Sequence, residues 1–120
     1  MTFEQTLQFL ADHTGKTVDV DVALVVEGRS EPVHVAGFSG LLDRLSRSEA
    51  RALPEAWYAG IRQHPTGPAA ASIRLDRELF EAAEAHANVP EDPNERGEFG
   101  TTWTLTIRQG GVLTMVEFYV

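Results

Sequence analysis

Along much of this chain, apolar residues recur at every second position. In the last twenty residues Trp103, Leu105 and Ile107 alternate with Thr102, Thr104, Thr106 and Arg108. Beyond Gly110-Gly111 the alternation resumes, with Thr114, Val116 and Phe118 interleaved with Leu113, Met115, Glu117 and Tyr119. A period of two is the signature of a strand with one buried face. The glycine pair supplies the positive φ angles that a two-residue hairpin turn demands. Closing the chain there predicts Ile107 beside Thr114, Leu105 beside Val116 and Trp103 beside Phe118 on one face. On the other face Thr102, Thr104, Thr106 and Arg108 meet Tyr119, Glu117, Met115 and Leu113.

A second hairpin is predicted over 17–38. Val18, Val20, Val22, Leu24 and Val26 point one way, and Asp19, Asp21, Ala23, Val25 and Glu27 the other. Gly28 to Glu31 reads as the turn and Pro32 to Phe38 as the return strand. Closure at Arg29-Ser30 sets Val26 beside Val33 and Leu24 beside Val35. Before it, residues 2–13 have helical spacing, with Phe3, Leu7, Leu10 and Ala11 on one face. Thr2 and Gln5 stand at capping-box positions and Gly15 is placed to stop the helix.

Between the hairpins the period changes. Leu41, Leu42, Leu45, Leu53, Ala56, Trp57, Ala59 and Ile61 suggest helix over 39–64. Pro54 divides that stretch into two pieces. Ala71–Leu75 reads as a short strand, and Asp76 to about His86 as a helix rich in alanine and glutamate. A strand running on through Phe80 is the competing reading. Residues 88–100 have the composition of a mobile acidic loop. The resulting order, α-β-β-α-(β)-α-β-β, predicts one α+β domain of two layers, an antiparallel sheet built from the hairpins 17–38 and 101–120 with helices on one face.

The run Ile107-Arg108-Gln109-Gly110-Gly111-Val112 resembles the second signature of the Sm-like RNA-binding proteins. A leading helix before Gly15-Lys16-Thr17-Val18 and the Gly37-Phe38 pair are similar in placement. The alternative fold this implies is an SH3-like or Sm-like small barrel with a helical insertion. The match departs at Gln109, which separates Arg108 from the glycine, and at Asp43, where asparagine would be needed. No RNA-binding residue is carried over.

Composition narrows the functions. At 120 residues the chain is long enough for one domain with its own core. There is no cysteine, hence no disulfide and no thiolate metal site. No cationic start followed by an apolar run, and no apolar stretch of about twenty residues, points to export or a membrane span. A soluble, cytoplasmic protein is expected. Nine of the ten basic residues are arginine, the bias of a GC-rich genome, and the chain reads as bacterial. The net charge is −8, which opposes nucleic acid and anionic membranes as partners. From Asp76 to Glu98 eight acids meet only two arginines, a net of −6.

The candidate chemistry is sparse. Histidines 13, 34, 64 and 86 lack metal-ligand spacing, so no metal site is assigned. Gly37-Phe38-Ser39-Gly40 lacks the spacing of a nucleophile elbow, and no phosphate-binding glycine loop occurs. No catalytic residue and no cofactor are assigned. Asp19 and Asp21 share a strand face about 7 Å apart, and His34 falls on the same outer face. With Trp57 they are the candidates to line a ligand pocket between sheet and helices. Arg44, Arg47 and Arg51, at i, i+3 and i+7, would form an anion-binding stripe on a continuous helix. Leu113, Met115 and Tyr119 would form an apolar patch on the outer face of the last strand, and such patches mark interfaces. The functional expectation is a non-catalytic interaction module that pairs with its own copy, as a homodimer, or with a protein partner. Small acidic chaperones and immunity-type proteins share this compositional profile. The alternative is a small ligand-binding or hydrolytic domain using Asp19, Asp21 and His34.

Overall fold

The amino-terminal helix forms where its capping signals place it. Thr2 caps α1 (Phe3–Asp12) through a reciprocal capping box with Gln5, and Gly15 turns the chain out of it at φ 93°. Phe3, Thr6 and Leu10 are buried along one side. In the computed structural model, which describes residues 1–44, 56–64, 66–88 and 101–119, every other regular element is a strand. These are β1 (Thr17–Leu24), β2 (Val33–Arg44), β3 (Ala56–Arg62), β4 (Ala69–Asp76), β5 (Phe80–Ala87), β6 (Thr101–Gln109) and β7 (Val112–Tyr119).

The strands form one antiparallel sheet in the order β4-β3-β2-β1-β7-β6-β5, curled into a half-barrel. Alternation sends one row of side chains inward. Val18, Val20, Leu42, Ile61, Ile73, Leu75, Leu105, Ile107, Val116 and Phe118 make the core together with Phe3 and Leu10 of the helix. The two edge strands, β4 and β5, are joined by only Arg77-Glu78-Leu79. One corner of the curl is therefore tied. A side-chain amide strengthens that corner: Gln109 Oε1 accepts from the Asp76 backbone N–H at 3.1 Å and its Nε2 donates to the Arg74 carbonyl at 2.5 Å. Gln109 thus imitates two ladder bonds between strands that are not sheet neighbours. α1 lies against the concave side, where Phe3 meets Phe80 edge to face and the Met1 ammonium donates to the Ala83 carbonyl at 2.9 Å.

This architecture corrects the two-layer α+β reading. The chain is mostly β, with a single short helix among the described residues. The predicted helix over 76–86 is instead the turn 77–79 and strand β5. Its alanines and glutamates favour helix locally, but Ala83 and Ala85 alternate inward opposite Ile107 and Leu105. Small side chains there leave room for α1 to cross, so packing overrides propensity. The predicted helices over 39–64 are likewise replaced where the residues are described. β2 runs on to Arg44 and 56–62 is β3. Phe38, Gly40 and Leu42 keep the period of two that the Leu41-Leu42 doublet disguises. Gly40 is needed there, because an added Cβ would lie 2.6 Å from the Arg62 carbonyl oxygen.

The last hairpin has the predicted pairs, except that the register shifts between Thr101 and Trp103. Tyr119 is therefore opposite Thr101 rather than Thr102. The first hairpin is offset from the predicted register. Leu24 pairs with Val33 and Ala23 with His34, and the pairing shifts again before Val22 meets Ala36. The Arg29 N–H closes a turn on the Val26 carbonyl, so the chain reverses earlier than Arg29-Ser30. No helix among the described residues is long and apolar enough to cross a membrane. The predicted loop, apart from Asn88, falls at 89–100, outside the described residues.

Candidate functional site

With α1 on the concave side, the convex face of β2, β1, β7 and β6 carries the outward rows of four strands. The register aligns them. Ser39, Asp19, Glu117 and Thr104 lie in one cross-strand row, and Gly37, Asp21, Met115 and Thr106 in the next. His34, Ala23, Leu113 and Arg108 make a third. Neighbours in such a row stand about 5 Å apart. Three of the proposed ligand residues, Asp19, Asp21 and His34, and the three proposed interface residues, Leu113, Met115 and Tyr119, therefore occupy one continuous surface.

A depression of about 420 Å³ sits in it, lined by Asp19, Asp21, Gly37, Ser39, Met115 and Glu117. Its hollow depends on Gly37, which contributes no side chain beside Asp21. Two of its carboxylates face each other directly: Asp19 is opposite Glu117. Like charges so placed repel. The opposition is relieved locally by hydroxyls, since the Tyr119 phenol and Ser39 both hydrogen-bond to the Asp19 carboxylate. Those bonds, Ser39 first and Tyr119 second, hold the Asp19 carboxyl below its ordinary value and keep it ionised. Among the described residues no arginine or lysine pairs with Asp19, Asp21 or Glu117. Arg108 is engaged by Glu81 at 3.2 Å.

The reciprocal effect falls on Tyr119. Its bond to Asp19 pushes the phenol up to about 12, with desolvation and the charges of Asp19 and Glu117 adding to the shift. The folded protein then holds this proton more tightly than the unfolded chain does. The stabilisation is full below a pH of about 10 and is lost as the pH climbs through about 12. Asp19 acts at the other end: its contribution is present above 3.8 and fades as the pH falls through its lowered value. In a Tyr58→Phe background, the phenolate absorbance of Tyr119 should titrate near 12, and Asp19→Asn should return it towards 10. A midpoint near 10 in both proteins would mean that the Tyr119–Asp19 bond is absent in solution.

His34 pairs with Asp21 at 3.3 Å, but the two side chains are 69% and 52% exposed. An ion pair so well solvated contributes little, and the imidazole does not reach Ser39, whose hydroxyl is taken by Asp19. No nucleophile–base pair results. Among the described residues no three metal-ligating side chains converge. Asp19, Asp21 and His34 lie on the opposite side of the sheet from α1, so they do not line a space between sheet and helix. Trp57 belongs to β3, distant in strand order, and its side chain is outside the described set. Of the arginine stripe, Arg44 ends β2 opposite Ala59 instead of lying on a helix, and Arg47 and Arg51 lie outside the described residues.

Ser39, Gly37 and Glu117 were not singled out from sequence. Glu117 was legible on the outer row of the last strand. Ser39 needed the knowledge that β2 continues beside β1 beyond Phe38, and Gly37 the observed register, which sets it opposite Asp21. The chain matches no protein-family model, no curated protein and no solved structure.

Proposed function

We propose that this protein is a non-catalytic interaction module that binds a basic protein partner across the convex face of β2, β1, β7 and β6. The observation that carries this reading is the surface itself: among the described residues no helix covers it, and its polar rows enclose partly exposed apolar side chains. Met115 is 36% exposed. Leu113 and Met115 offer the adaptable apolar centre that a partner can pack against. Asp19, Asp21 and Glu117 offer negative charge that, among the described residues, no cation beyond the exposed His34 answers. Lysine or arginine side chains of a partner fit that field, and it would speed their encounter.

A second copy of the chain fits less well. A two-fold contact through this face would set Asp19, Asp21 and Glu117 against their own equivalents, on a chain already at −8. Light scattering on a sizing column should therefore give the monomer mass of 13.2 kDa at all concentrations. A stable dimer that Met115→Asp disperses would overturn the basic-partner reading in favour of self-association.

A further inference from the structure

The half-barrel is not filled from end to end. α1 occupies the part of the concave side bounded by Phe80, Ala83, Trp103 and Phe118. Towards the tips of the two hairpins a cleft of about 280 Å³ remains, walled by Val22, Phe38, Ile73, Leu79 and Val112. Its polar lining includes Ser72, the Arg74–Asp76 pair at 3.2 Å and the Gln109 amide, which is committed to the β4 backbone. The Thr114 residue, 6% exposed, also lines it.

The mouth is apolar as well. Leu79 is 54% exposed at the lip, and Leu24, which pairs with Val112, is 41% exposed. Two leucine side chains held in water beside one opening are an unfavourable arrangement unless something covers them.

We infer that this cleft binds a small, uncharged, mainly apolar molecule the size of two to three rings. Size makes the selection. An apolar cavity of roughly 150 Å³ takes up benzene, and this one has nearly twice that volume. The space is too small for a helix from another protein. Charge points the same way: at −8 the chain repels free anions, and the one arginine at the cleft is paired with Asp76. The site is separate from the convex face and does not depend on the function proposed for it.

N-phenyl-1-naphthylamine, uncharged and brighter in apolar surroundings, is a suitable probe. Titrated into the protein, it should show saturable binding with one site per chain. Val112→Trp, which places an indole in the cleft, should weaken that binding at least tenfold. The exposed Leu79→Asp should also weaken it without altering the fold, and it decides the matter if Val112→Trp fails to fold. Met115→Asp, on the other face, should leave the probe's affinity unchanged. Absence of saturable binding, or binding that Leu79→Asp leaves untouched, would overturn the assignment.

Discussion

Phe118→Ala should cost about 3–5 kcal/mol of folding stability, the range for truncating a fully buried aromatic. Phe118 is 0% exposed and sits where the helix meets the sheet. Its ring packs against Phe9 at 5.5 Å and His13 at 5.1 Å, and its strand neighbours are Val18 and Trp103. Removing it empties the contact between α1 and the two central strands, which neither element can collapse to fill. For a chain of this length the loss corresponds to a fall in melting temperature of roughly 10–20 °C. Phe118→Leu should recover most of it. A loss under about 1 kcal/mol on urea unfolding would mean that Phe118 faces solvent, as a one-residue slip of the last hairpin would produce.

The second large effect is on binding. Asp21→Lys combined with Glu117→Lys reverses two of the three charges around the convex depression. On the fold the change should be close to neutral, because Glu117 stands opposite Asp19 and its reversal turns a repulsion into an attraction. On a basic partner the effect should be severe. Like charges juxtaposed in an interface cost several kcal/mol, and a hundredfold loss of affinity corresponds to about 2.7 kcal/mol. Reversal should therefore weaken binding by at least that factor while the melting temperature is kept. The separation of the two readouts distinguishes a binding surface from a structural one.

Particular elements decided how far the residues could be read in advance. The last hairpin was legible because Gly110 and Gly111, at φ 56° and 76°, fit a single turn geometry and both flanking strands alternate in phase with it. α1 was legible from Thr2 and Gln5, whose capping box needs no tertiary partner. β5 was not, since Glu81, Ala82, Ala83, Glu84 and Ala85 favour helix until α1 is laid across them. The first hairpin was misregistered because its turn closes at Val26–Arg29 and its ladder shifts between Val22 and Ala23, neither of which alternation reveals. The same limit applied to the site. Alternation put Asp19 and Asp21 on one face and Met115 and Tyr119 on another. Only the pairing of β1 with β7, nearly a hundred residues apart, made these one surface.

The most direct test is capture from an extract of the source cells on three immobilised baits: the wild-type chain, Met115→Asp and the Asp21→Lys/Glu117→Lys double variant. A basic protein should be retained by the wild type, eluted by raised salt, and lost from both variants while each bait keeps its fold. A partner held equally by all three baits would contradict this and move the interaction away from the convex face, as would recovery of nothing but the chain itself.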